Sequence, residues 1–153
     1  MTARVAHGES ISTLCIIKPE AFRLREPIWS RILSSGLRVT LNCSLTLDES
    51  QAAGFYRSLP IDRQLPAVRS LLGGPVEIAI VTAADAVERL IRVCGTHSVP
   101  IECEPGTIRR DFGEGWDFSD PKIPILRNAI HRCKSPSQAA ASIAWLSQIC
   151  PRV

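Results

Sequence analysis

The amino-acid sequence predicts an α+β fold in which four strands form a mainly antiparallel sheet with helices covering it. Three observations carry that expectation. Short apolar runs of strand length occupy residues 13–17 and 75–82, an unbroken two-residue alternation runs over 37–47, and stretches with helical spacing lie between and after them. At 153 residues the chain is long enough for a single domain that buries about 70% of the surface its unfolded form exposes. With 45% hydrophobic and 22% charged residues, extended disorder is excluded.

After a polar leader (residues 1–11), residues 13–17 read TLCII, a branched run that favours a buried strand, and Pro19 ends it. Residues 27–35 place Ile28, Ile32 and Leu33 on one helical face, with Pro27 suited to the first turn and Gly36 to the C-terminal cap. From Leu37 to Leu47, every odd-numbered residue is apolar and every even-numbered one polar, so a strand with one wet face is expected. Asp48 and, three residues later, Gln51 form a capping-box pattern for a helix through Tyr56. A second helical piece lies near 65–72 and stops at Gly73 and Gly74. Residues 75–82 form the next strand, with Val76, Ile78 and Ile80 inward, and residues 85–93 an amphipathic helix closed by Gly95. Residues 96–126 have no long period, as functional loops and insertions do not, and 113–126 reads as an insertion. A short strand at 127–131 leads to Ser135 and Pro136, which start a last helix through Leu146. Two βαβ-type units with their helices on one face of the sheet make this a ferredoxin-like sandwich.

Several function classes drop out. The net charge of +3 is too small to demand nucleic acid, and one Tyr and four Phe leave little for a single-strand stacking platform. No apolar run approaches the roughly 20 residues that cross a bilayer, and the leader lacks a secretory stretch, so no membrane partner and a cytoplasmic location are expected. The six cysteines form no CxxC pair, which favours reduced thiols over bridges or zinc ligands. Pro75 follows the Gly73-Gly74 pair, so there is no P-loop.

Of the three histidines, His7 lies in the leader, His97 in the long loop, and His131 three residues after Asn128, beyond a loop carrying Thr107, Arg109 and Arg110. Neighbouring cations would hold the His131 pKa down and leave a ring nitrogen free to attack or accept a proton; the plainer reading is a satisfied, partly buried histidine. Lys18, at the end of the first strand, is either a solvated strand end or a point charge for a phosphate. Arg92, Arg109 and Arg110 carry forks that suit phosphate oxygens, or else sit idle on the surface.

TLCIIKPEAF at 13–22, GGPVEIAIV at 73–81, PGTIRRDFG at 105–113 and RNAIH at 127–131 together resemble the nucleoside diphosphate kinase family, in order and spacing, over about residues 12–148. The resemblance implies the same sandwich fold and a ping-pong transfer in which a nucleoside triphosphate gives its terminal phosphoryl group to a histidine, and a nucleoside diphosphate takes it away. The matching nucleophile is His131. Lys18, Arg92 and Arg109 match phosphate-contacting cations, Ser98 stands at a phosphate-binding threonine, Asn128 matches a sugar-contacting asparagine, and Tyr56 a tyrosine near the histidine. The resemblance further implies magnesium carried by the nucleotide phosphates and a homo-oligomer.

The sequence also departs from the pattern. Where the family reads NxxHGSDS, this chain has Arg132, Cys133 and Lys134 in place of Gly, Ser and Asp. Cationic neighbours make Cys133 a candidate reactive thiolate. A carboxylate that orients the catalytic ring is replaced by Ser142, and the base-stacking aromatic has only Leu65 as an approximate counterpart. Trp116 and Phe118, in the insertion, are expected to pack. These departures support a rival reading, a nucleotide-binding or scaffold member of the fold with weakened catalysis.

Overall fold

The computed structural model describes residues 9–153. β1 (Ile11–Ile17) is followed by a 3-10 segment (Pro19–Leu24), α1 (Arg25–Ser34), β2 (Arg38–Leu45), α2 (Glu49–Phe55), α3 (Ile61–Arg69), β3 (Val76–Ala83) and α4 (Ala86–Cys94). A short 3-10 turn (Pro100–Glu102), α5 (Ile108–Phe112), β4 (Gly115–Asp117), β5 (Ile125–Arg127), β6 (Ile130–Arg132) and α6 (Pro136–Ile149) follow. The four-stranded sheet runs in the order β2-β3-β1-β6 with every neighbouring pair antiparallel, as the ferredoxin-like arrangement requires. β4 and β5 pair separately as a hairpin within 113–127.

Helices cover both faces of the sheet rather than one. Leu14, Ile16, Ile78 and Ile80 pack with Ala52 of α2, Val68 of α3 and Leu146 of α6. Cys15, Ile17, Ala79 and Val81, alternating with them, pack with Ile28 and Ile32 of α1 and Leu90 of α4. The physical reason lies in the central strands: β1 and β3 are buried at consecutive positions, a pattern that two covered faces satisfy and one does not.

β2 corrects a second expectation. Its alternation predicts one apolar face, yet Leu37 and Val39 join the α1 core while Leu41, Cys43 and Leu45 join the opposite one. A bulge separates the two groups: Val39 pairs with Val81 and Leu41 with Ile80, so Thr40 has no partner residue, and its Oγ1 donates to the Ile80 carbonyl at 3.3 Å. One extra residue shifts the pleat by half a period, which exchanges faces without disturbing the alternation in the sequence.

The local signals act as expected at several ends. Asp48 and Gln51 form the reciprocal capping box of α2, and the Ser135 hydroxyl accepts from the Gln138 N–H at the start of α6. α3 begins earlier than residue 65; Pro66 falls inside it, where the N–H it lacks would have met the carbonyl of exposed Asp62. Ile11, placed in the polar leader by sequence, pairs with Ala83 in β1, and His7 lies outside the described residues.

The strand expected over 127–131 is broken, and the break builds the site. β5 ends at Arg127, β6 begins at Ile130, and between them Ala129 takes a φ of 72°, uncommon for a residue with a side chain. The Ala129 N–H donates to Glu20 Oε1 at 3.3 Å, and its carbonyl accepts from the Lys18 N–H at 2.9 Å. Asn128 and His131 thereby stand on either side of a fixed kink beside the end of β1.

Candidate active site

Residue 131 pairs with Ile16 across the β6–β1 ladder, so alternation sends Ile130 and Arg132 toward the α1 side and His131 toward the side covered by α2 and α6. There the ring lines a cavity of about 1000 Å³ together with Lys18, Tyr56, Ser98, Arg109 and Asn128. Arg92 is absent from this group. α4 turns it outward, and its Nη2 lies 3.3 Å from Asp85 Oδ2 on the helix surface. Arg110 braces the Ile101 and Cys103 carbonyls, and His97 brings its backbone carbonyl rather than its ring, accepting from Arg109 Nη1 at 2.9 Å.

Three cations are buried around the kink. Lys18 is 5% exposed, and burial lowers its pKa to about 8; Glu20 opposes the shift, while Arg109 and Arg127 add to it. Arg109 Nε and Nη2 converge on the Ile130 carbonyl at 3.2 and 3.0 Å. Arg132, on the other side of the strand, donates to the Gly95 and Thr96 carbonyls at 3.0 and 3.3 Å. That loop approaches closely because residue 95 is glycine: its φ is +121°, and a Cβ there would fall 2.7 Å from Cys103 Sγ. Ion pairs among the described residues engage Arg31, Arg69, Arg89, Arg92 and Arg127, and none includes Lys18, Arg109 or Arg132. Among the described residues Arg109 and Arg132 meet only carbonyls, and Lys18 has Glu20 nearby but no ion pair. Buried cations so incompletely compensated are costly, which suits a site that receives an anion.

Burial first, and then Lys18, Arg109, Arg132 and Lys134, hold the His131 pKa well below 6.5. The ring is therefore neutral at neutral pH, with one nitrogen lone pair available. The Tyr56 hydroxyl lies 3.5 Å from Nδ1, at the outer limit of a hydrogen bond, and burial pushes that hydroxyl's pKa up to about 12, so it keeps its proton. Nε2 is sealed from solvent without a hydrogen-bond partner among the described residues. So is Asn128 Oδ1, while Asn128 Nδ2 donates to the Ser98 carbonyl at 3.0 Å.

Aromatic rings take up much of the work of holding the imidazole. Phe55 meets it edge-on at 4.8 Å and Tyr56 at 5.8 Å, and Phe55 leans on Trp145, whose Nε1 donates to the Gln51 carbonyl at 2.9 Å. Phe55, Trp145 and the cavity-lining Arg63 carry no motif in the sequence. A signal existed for Trp145 alone, which lies three residues after Ser142 and so on the same face of α6. A neutral imidazole, buried cations outside any ion pair of the described residues and an open cavity together suit nucleophilic capture of an anionic electrophile.

The family model described as nucleoside diphosphate kinase matches residues 11–148. The chain belongs to the nucleoside diphosphate kinase family. It is 33% identical over 138 residues to the nucleoside diphosphate kinase of Nitrosospira multiformis, spanning 87% of this chain and 89% of that one. The nucleoside diphosphate kinase of Thiobacillus denitrificans gives the same identity and coverage. Among solved structures, the nucleoside diphosphate kinase of Borrelia burgdorferi, a transition-state mimic with bound vanadate and ADP, superposes with a TM-score of 0.79 at 26% identity, covering 89% of this chain and 86% of that one.

Against this family background three local expectations change. Cys133 is fully buried, its Sγ lying 3.5 Å from both the Leu14 carbonyl and Ser142 Oγ, so it is closed to reagents from solvent. Leu65 is exposed on α3 and lies outside the cavity lining. Trp116 and Phe118, expected to pack, are 51% and 62% exposed, and Trp116 lines the cavity.

Proposed function

We propose that this nucleoside diphosphate kinase family member carries the phosphoryl group on His131. A neutral ring nitrogen attacks the terminal phosphorus of a nucleoside triphosphate, an N–P bond forms, and the bond to the bridging oxygen breaks to release the nucleoside diphosphate. A second diphosphate then attacks through its terminal oxygen, the N–P bond breaks, and the imidazole returns neutral. Because charge in such a loose transition state spreads over the phosphoryl oxygens, catalysis rests on position and on cationic donors. Lys18 and Arg109 hold the phosphates, Ser98 contributes a hydroxyl, Asn128 offers its unpaired Oδ1 to the sugar, and Tyr56 donates toward the ring. Arg92 joins this set only if it leaves Asp85.

Asp62 is the one carboxylate among the cavity-lining residues, which suits magnesium arriving on the substrate's phosphate oxygens rather than on a protein cage. A cytoplasmic location fits a chain in which no helix among the described residues is long and apolar enough to cross a membrane, and self-assembly is read from family resemblance.

The observation that carries this reading is the depressed His131 among buried, unpaired cations. Incubation with γ-labelled triphosphate should leave acid-labile label on His131, and His131→Ala should lose about 10⁴-fold or more in turnover while still binding nucleotide. Label that survives acid, or that remains in the His131→Ala chain, would sink the assignment.

A further inference from the structure

We propose that Trp116, on the β4–β5 hairpin, is the surface against which the nucleobase of the bound nucleotide stacks, an inference that rests on reading the cavity as a nucleotide site. Trp116 is a large apolar side chain left 51% exposed while lining the same cavity as His131 and Lys18. The other aromatic rings of that lining are committed elsewhere: Phe55, Tyr56 and Trp145 pack on His131 or on each other. Among the described residues Trp116 is thus the cavity aromatic with an open face.

Position fits the dimensions of a nucleotide. Trp116 stands opposite Leu126 in the hairpin, and Leu126 precedes His131 by five residues, which limits their separation to about 17 Å of chain. The lining brings Lys18, Arg109 and His131 from around the kink and Trp116, Pro124 and Leu126 from the hairpin segment, and Asn128 lies between Leu126 and His131 along the chain. An anion, a polar sugar and a flat apolar ring have the same order.

The platform is also firm. Asp117 accepts from the Ser119 N–H at 2.9 Å and from Arg127 Nε and Nη2 at 3.1 and 3.0 Å, so the residue after the indole is fixed to the connecting turn and to β5. Arg69 of α3 reaches Asp120 at 3.2 Å, tying the hairpin to the helix that forms another wall. Phe118 lies nearly parallel to the indole, 30° between planes and 6.3 Å between centroids. A platform of this kind reads the π-face that every base has, so it predicts little discrimination between bases.

The test compares equilibrium binding of ADP and of inorganic tripolyphosphate to the full chain, Trp116→Ala and Trp116→Phe. Stacking predicts ADP affinity about tenfold weaker in Trp116→Ala and largely restored in Trp116→Phe, with tripolyphosphate affinity unchanged throughout. Unchanged ADP affinity in Trp116→Ala overturns the proposal, as does an equal loss for both ligands or a change confined to native mass, which would make the hairpin an interface between copies. Labelling of His131 in Trp116→Ala separates the two readings: if label still appears, a failure of stacking leaves the transfer function standing. A parent chain that binds tripolyphosphate but not ADP defeats both.

Discussion

The two ends of the cavity solve opposite problems. Around the kink at Ala129, polar groups are buried and incompletely paired: Lys18 is deprotonatable near pH 8, Asn128 Oδ1 and His131 Nε2 lack partners, and Arg109 meets carbonyls only. At the β4–β5 hairpin the aromatic side chains are exposed, while Asp117 pairs with Arg127 and Asp120 with Arg69. Unmet capacity in the interior is expensive and is kept where chemistry uses it, whereas exposed apolar area is cheap and tolerates variation. The contrast teaches that unmet polar capacity is concentrated at the sheet edge beside β6, while the hairpin spends its exposure on apolar rings.

Changes at the buried end should have the largest effects. Lys18→Met should cost about 10²-fold or more in turnover, yet stabilise the free protein by up to about 3 kcal/mol, because holding a lysine charged against a pKa near 8 rather than 10.5 works against folding at neutral pH. Urea unfolding beside steady-state kinetics checks both signs; a less stable Lys18→Met chain would contradict the account of its burial. The same group predicts that nucleotide affinity declines as pH rises through about 8 and the ammonium empties.

Ser142→Glu probes the orphaned Nε2. A carboxylate there should accept the Nε2 proton, raise the His131 pKa measured by NMR titration and increase turnover about tenfold. A titration curve that does not move would mean that the aromatic packing alone sets the ring.

A smaller effect concerns stability against pH. Because the folded His131 pKa is depressed, the unfolded chain takes up a proton below about pH 6.5 that the folded ring refuses, so stability falls as pH drops through that value. The urea midpoint of His131→Asn should lack that part of the slope between pH 7 and 5. At the hairpin, removing an exposed pair by Arg69→Ala should change stability by less than about 0.5 kcal/mol, and a loss several times larger would show the hairpin to be structurally coupled to the core.

Much of the site was legible because its parts are short and local. The run ending at Lys18, the NxxH spacing from Asn128 to His131 and the glycine at residue 95 each belong to a segment whose neighbours are close in sequence. Arg92 stands apart from the cavity for a reason no motif carries: α4 faces Leu90 and Cys94 inward, leaving Arg92 to Asp85. Phe55 was silent because nothing in an amphipathic helix distinguishes a side chain that packs on a strand from one that packs on a reactive ring.

By itself the sequence determined the order of strands and helices, the caps of α2 and α6, and the cation and imidazole inventory, since periodicity and capping arise from backbone geometry within a few residues. Tertiary structure alone decided that Thr40 bulges and exchanges the faces of β2, that helices cover both sides of the sheet, that Cys133 is sealed, and that Trp116 opens onto the cavity of His131. Those outcomes depend on which distant surfaces meet, and the free energy of burial is a property of the assembled neighbours rather than of any segment.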